Sequence, residues 1–333
     1  MLFDFFTLLS LAFAGKEISQ DAQTSFQISP LTGHIQRTLP SGRQFLLNVP
    51  EGYKHDVAHP LVLAFHGAGG YSLKMERITQ LSYPELRIAG LPLLAVYPQG
   101  VNNTNWNMTH IWQAAPYGNK SVDDIQFVKD IIADVEANYT IDARRRYACG
   151  KSNGGGFTAR LACEPSTSSL FAAFAPVSPA LYQEAYSFHG CKPSRPVPIF
   201  HAHGIEDTIT PFYGRTPEEG SFGPEPDVRI WRARWAQRNL KLASKVDQLN
   251  IKTKLPDADT ISYPHVNATE EIWNKGKGQL EIRALSIEGL GHAWPSTEGL
   301  DLAGSPNETA TFNFTSPHLI DFFSTHELPV EYL

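Results

Sequence analysis

The chain carries no surplus of basic residues: Lys and Arg number 28 against 34 Asp and Glu, a formal net charge of -6. There is little to neutralise phosphates, so nucleic-acid binding is not expected. Charged residues make up only 19% of the 333, below the usual quarter. No apolar run is long enough to span a bilayer, so no membrane association is expected. Repeats, low-complexity tracts and linkers rich in Gly, Ser or Pro are all missing, which argues against two separate domains. Metal chemistry is short of ligands too. His201-Ala202-His203 places two imidazoles on one strand face, but no Cys pair or HExxH motif joins them, and zinc needs three or four ligands. No metal or organic cofactor is expected.

What is present reads as a globular core. Apolar residues are 42% and aromatics 11%, which excludes a disordered chain. The 25 Gly and 24 Pro imply many tight loops. Residues 2–14, LFDFFTLLSLAFA, suit the apolar region of a secretory signal, although Asp4 stands where a positive charge is usual. Ala12-Phe13-Ala14 has the form of a cleavage site, so a signal peptide over 1–14 and one domain over 15–333 are expected. Acceptor sequons occur at Asn102, Asn107, Asn119, Asn138, Asn267, Asn307 and Asn313. Chance would supply roughly two, so a secreted, extracellular glycoprotein is expected. Of three cysteines, Cys149 precedes a glycine turn at a strand end and should be buried, leaving Cys163 and Cys191 to form a disulfide.

Strand and helix signals alternate. Phe45–Val49, Leu61–Phe65, Leu93–Tyr97, Arg146–Cys149, Phe171–Val177, Val197–His201 and Leu280–Leu285 read as strands. Ile125, Val128, Ile132, Val135 and Tyr139 form one helical stripe, opened by a Ser121–Asp124 capping box. Further helices are expected over Gly154–Cys163, Val228–Leu240 and Pro317–Thr325, and the stretches 212–227 and 252–277 read as loops. This alternation predicts an α/β fold with a mainly parallel central sheet and helices on both faces.

Gly150-Lys151-Ser152-Asn153-Gly154 follows a strand and opens a helix, the placement of a nucleophile elbow. A phosphate loop spelled by Gly150-Lys151-Ser152 fails, because Arg145 stands where its first glycine belongs. His66-Gly67-Ala68-Gly69-Gly70 follows an earlier strand, as an oxyanion loop would. Its donors would be Ala68 or Gly69, together with the N–H of Asn153. A serine needs a base, and the base an orienter, in the order Ser, acid, His. His292, flanked by Gly289 and Gly291, is the expected base; His265, His318 and His326 lie in a polar loop or the last helix. Asp207 is the expected acid on position, with Glu206 its rival; Asp301 breaks the order, and Asp123 and Asp124 open a helix. His203 would brace the acid loop.

The segments LAFHGAGG, YPQG, VDDIQFVKDII, CGKSNGGGF, HAHGIEDTITPF and GLGHAWP fall in the order seen in secreted feruloyl esterases. Over about residues 35–325 the chain resembles that family, and with it polyhydroxybutyrate-depolymerase-like and acetylxylan esterases. The resemblance implies a single α/β-hydrolase domain with Ser152 as nucleophile, Asp207 as orienter and His292 as base. It implies plant cell-wall polysaccharide esters as substrates. Acetylxylan and hydroxyalkanoate polyester are the alternative substrates, and an inactive hydrolase fold used for binding is an alternative of another class. Trp106, Trp112, Phe212, Tyr213 and Trp294, near the expected active edge, could stack a planar hydroxycinnamoyl group.

Overall fold

A computed structural model of the chain describes residues 34–182, 190–220, 222–243, 254–301 and 308–333. The segment 1–14 and Asn307 lie outside these. Ten strands form one sheet: β1 (His34–Thr38), β2 (Gln44–Asn48), β3 (His59–Phe65), β4 (Leu94–Pro98), β5 (Ile141–Lys151), β6 (Ala173–Val177), β7 (Ile199–Gly204), β8 (Thr260–His265), β9 (Ala268–Trp273) and β10 (Ile282–Ile287). Their spatial order is β1-β2-β4-β3-β5-β6-β7-β10-β9-β8. From β4 through β10 the central pairs are parallel, while β2 runs antiparallel to both β1 and β4. The β8–β9 hairpin extends the far edge antiparallel to β10.

Side-chain alternation along the strands builds two cores. Leu61, Leu63 and Phe65 of β3 face one side, with α2 (Asp124–Asn138), α3 (Asn153–Cys163) and α4 (Val228–Ala243). Val62 and Ala64 face the other, with α1 (Ser72–Thr79) and α5 (Ile320–Ser324). Because both faces are covered, β3 is buried along its whole length, which explains its unbroken apolar run. The α2 stripe seats Ile125, Val128, Ile132 and Val135 on the sheet, each contributing about 1.5–3 kcal/mol by leaving water.

Some expectations change. The N-cap of α2 is Asp123, whose side chain accepts from the Gln126 N–H at 2.9 Å, not Ser121. Asp124 instead sits buried under Arg43 and the Gln113 N–H. The stretch 252–277 is no plain loop, for it carries the β8–β9 hairpin. There His265 ends β8 and its Nε2 meets His318 Nε2 at 2.8 Å. The last helix runs as expected from about Pro317, entering through a wider helical turn over Phe314–Leu319 that is kinked at Ser316 and continues into α5. Cys163 and Cys191 are joined by a disulfide, and Cys149 is a buried free thiol that burial pushes upward in pKa.

Candidate active site

Four loops meet at the C-terminal edge of the parallel strands. They follow β3 (His66–Gly70), β5 (the turn at Ser152), β7 (Ile205–Thr210) and β10 (Glu288–Trp294). Ser152 stands between β5 and α3 with φ 58° and ψ -123°, a left-handed conformation strained for any residue with a Cβ. The turn is held by its neighbours. Ser152 N–H donates to Val177 at 3.1 Å, and the Ser152 carbonyl accepts from Gly156 and Ala180. Close packing demands bare backbone on both sides. A Cβ at Gly150 would lie 2.4 Å from the Gly154 carbonyl oxygen, and one at Gly154 would lie 2.1 Å from that of Phe65.

The loop after β3 faces this serine. A Cβ at Gly67 would stand 3.6 Å from Ser152 Oγ. His66 pins the loop with both ring nitrogens: Nδ1 donates to Gly67 O at 2.8 Å and Nε2 accepts from Gly100 N–H at 3.0 Å. That pattern fixes a neutral tautomer. Burial, against the Gly67 hydrogen bond, lowers the His66 pKa to about 4. Gly69 N–H donates to the Thr109 carbonyl at 2.9 Å, so it is spent within the loop. Of the two donors expected in this loop, Gly69 is thus the one already committed. Asn153 is the first residue of α3, where an N–H has no intrahelical acceptor. Its side chain accepts from Trp112 N–H at 2.7 Å, tying the elbow to the strand Met108–Ile111.

Asp207 and His292 come together from different strands. His292 Nδ1 lies 2.7 Å from Asp207 Oδ2, and both side chains are buried. Asp207 Oδ1 accepts from the N–H groups of Ile209 and Thr210, while Oδ2 also receives Thr210 Oγ1 at 3.0 Å. His203 Nε2 stands 3.2 Å from the same oxygen and 2.8 Å from Thr210 O. Burial opposes ionisation of Asp207. The His292 charge and the hydrogen bonds from His203 and His292 outweigh it and hold the carboxyl well below the usual range. His292 is lowered by burial, with Asp207 pulling the other way and Lys151 adding to the fall.

Behind the acid, His201 and His203 are committed to a chain of contacts. Arg232 Nε donates to His201 Nδ1 at 2.8 Å, and His201 Nε2 is 3.4 Å from His203 Nδ1. Glu206 is exposed and spends its N–H on Leu290 O, and Asp301 pairs with Lys151 at 3.1 Å while accepting from Trp294 N–H. Among these acids, Asp207 is the one in hydrogen-bond contact with His292.

The five aromatic side chains divide. Trp112 is fully buried, stacked on Phe157, with its indole N–H on the His66 carbonyl. Trp294 is 1% exposed and donates to Thr315. Phe212 packs in the core against His203. These three are closed off from solvent and their contacts brace the loops. Tyr213 is exposed under Arg229, and Trp106 is exposed 5.9 Å from Phe222. The sequence reading passed over Tyr117, Tyr182, Phe222 and Glu225, which gather beside the His66–Gly70 loop. No spacing signal marks them, because they come from three loops.

Among the described residues, no helix is long and apolar enough to cross a membrane. The strand order, the antiparallel β2 and the strained serine turn after β5 define an α/β-hydrolase. Within that class the chain is similar to feruloyl esterase B of Piromyces equi, 27% identical over 251 residues, 75% of this chain and 42% of that protein. It is also similar to a bifunctional acetylxylan esterase/xylanase of Neocallimastix patriciarum, 27% identical over 63% of this chain and 25% of that protein. The chain thus spans less than half the length of either relative. A solved ferulic acid esterase from Anaeromyces mucronatus, in complex with ferulic acid, superposes with a TM-score of 0.46 at 12% identity, covering 88% of this chain and 89% of the other. No family model matches.

Proposed function

We propose that the chain is a secreted serine carboxylesterase that releases hydroxycinnamic acids from feruloylated plant cell-wall polysaccharide. The 2.7 Å contact between His292 Nδ1 and Asp207 Oδ2, at the strand edge that carries the strained Ser152 turn, supports it most. In this reading Ser152 Oγ attacks the ester carbonyl as His292 Nε2 takes its proton. Asp207 holds the Nδ1–H tautomer and stabilises the imidazolium. The N–H groups of Asn153 and Ala68 receive the oxyanion, each worth about 10²–10³ in rate. The sugar hydroxyl then leaves with the proton from His292, and water repeats the sequence on the acyl-enzyme. No step calls on a metal or cofactor. The feruloyl esterase relative supports the acyl group, and the acetylxylan esterase relative supports acetyl as the competing one.

Secretion forms part of the proposal. The sequons at Asn102, Asn107 and Asn138 sit on exposed positions, and those at Asn119, Asn267 and Asn313 on partly exposed ones. In this reading residues 1–14 are removed and 15–333 act as one domain. A panel of methyl ferulate, methyl caffeate, acetylated xylan and polyhydroxybutyrate tests the substrate class. Release of ferulate and caffeate is expected. Fast acetate release without any cinnamate release would replace the feruloyl reading with the acetylxylan one.

A further inference from the structure

The mechanism leaves the loop after α/β strand β7 unused beyond Thr210, and that loop carries a buried acid. Arg215 and Glu225 exchange both backbone hydrogen bonds, at 2.9 and 3.1 Å, which pins Glu225 in place. Three residues earlier, Phe222 joins an aromatic group. Its ring centroid is 4.9 Å from Tyr117 and 6.2 Å from Tyr182, and Tyr117 and Tyr182 stand 5.9 Å apart. Ala68 of the oxyanion loop packs against the same group. The Tyr117 hydroxyl lies against the Asn153 side chain. One end of the aromatic wall therefore touches both proposed oxyanion donors.

Glu225 marks the other end. It is 5% exposed, and neither carboxyl oxygen makes a hydrogen bond among the described residues. Arg215 Nε forms an ion pair with Oε2 at 3.6 Å, beyond hydrogen-bond length, and the Tyr182 hydroxyl lies close enough to favour the ionised carboxylate. Burial, partly offset by Arg215 and reinforced by the Asp207 charge, pushes Glu225 up to about 7. A buried carboxyl so thinly partnered is costly, and native structures rarely keep one without a use. Acceptor atoms beside a wall of aromatic rings match a flat ligand whose far end carries an O–H.

We propose that Glu225 accepts the phenolic hydroxyl of a hydroxycinnamoyl acyl group whose ring packs against Tyr117, Tyr182 and Phe222. This rests on the esterase reading above and adds to it the selection of para-hydroxylated acyl groups. A hydrogen bond to a carboxyl acceptor, strongest when that group is ionised, contributes roughly ten- to hundredfold in discrimination.

The readout is the ratio of kcat/KM for methyl p-coumarate to that for methyl cinnamate, which lacks the hydroxyl. In the wild type this ratio should exceed about ten, and methyl 4-methoxycinnamate should behave like cinnamate. In Glu225→Met the ratio should fall to near one, while Glu225→Gln, which keeps an acceptor oxygen, should lie between. A wild-type ratio near one, with methyl ferulate still cleaved, overturns the role of Glu225 and leaves the feruloyl reading intact. So does a Glu225→Met enzyme that keeps the wild-type ratio. Cleavage of acetyl esters with no cinnamate ester touched overturns the feruloyl reading, and this inference with it. The wild-type series needs no variant, so poor folding of Glu225→Met cannot hide the answer.

Discussion

Arg232 donates its Nε–H to His201 Nδ1 at 2.8 Å, deep under the sheet edge. A guanidinium nitrogen only donates, so His201 must carry its proton on Nε2. That proton points at His203 Nδ1, 3.4 Å away, which leaves the His203 proton on Nε2, beside Asp207 Oδ2. One buried cation thereby fixes the tautomers of two histidines and presents an N–H to the acid. His201 itself is held neutral, its pKa lowered well below the ordinary value by burial, Arg232 and His203.

His203→Phe removes that donor from Asp207. A carboxylate with fewer donors is more basic and stabilises imidazolium better, so the acid limb of kcat/KM should move to higher pH, while the less firmly held Asp207 orients His292 less well and about tenfold in rate is lost. His203→Gln, which keeps an N–H, should return the limb toward the wild type. Equal, pH-independent losses in both variants would mean that His203 only fills space.

Asp207→Asn should cost about 10⁴ in kcat by favouring the wrong His292 tautomer, with the fold retained by circular dichroism. A loss under tenfold would point to Glu206 or another acid as orienter.

The pH profile on p-nitrophenyl acetate should reflect His292. Its pKa is lowered from 6.5, chiefly by burial. The base form is the active one, so kcat/KM should stay level above pH 6.5 and decline only below it as His292 takes up a proton. A midpoint above neutrality would contradict the buried, partly solvent-excluded setting.

Acid should also destabilise the fold. His66 falls from 6.5 to about 4 on burial. Between those values the unfolded chain binds more protons at this site, so stability is full above pH 6.5 and is lost as pH falls toward 4. The linkage amounts to about 3 kcal/mol for this site. Urea midpoints should therefore drop clearly between pH 7 and pH 4.5, and less so in His66→Gln. An unchanged midpoint would show that His66 is protonated in the native state.

Much of the fold was legible because burial on both faces leaves continuous apolar runs, as in Leu61–Phe65 of β3 and Leu94–Tyr97 within β4. The β8–β9 hairpin was not. Its strands, TISYPH and ATEEIW, lie at the sheet edge, half exposed, and contain Pro264 and paired glutamates that read as loop. The α2 cap shifted by two residues because Ser121 and Asp123 are both competent caps, and tertiary contacts to Asp124 decide between them. For the site, sequence order singled out Ser152, Asp207 and His292, and the structure shows how the last two meet. Sequence could not distinguish Trp112 and Trp294, whose indole N–H groups are already taken, from an accessible aromatic such as Trp106. Glu225 escaped notice because an acid in a loop rich in Gly, Pro and Glu ordinarily faces water, and only tertiary structure, which sets it beside Arg215 and Tyr182, shows that it is buried.

The account stands or falls on Ser152 as the nucleophile. Treating the purified protein with a fluorophosphonate probe and mapping the adduct by peptide mass spectrometry addresses this directly. A single adduct on the peptide containing Ser152, absent in Ser152→Ala and strongly reduced in His292→Ala, is the expected result. Wild-type protein that takes up no probe, or esterase turnover retained by Ser152→Ala, would contradict the proposal.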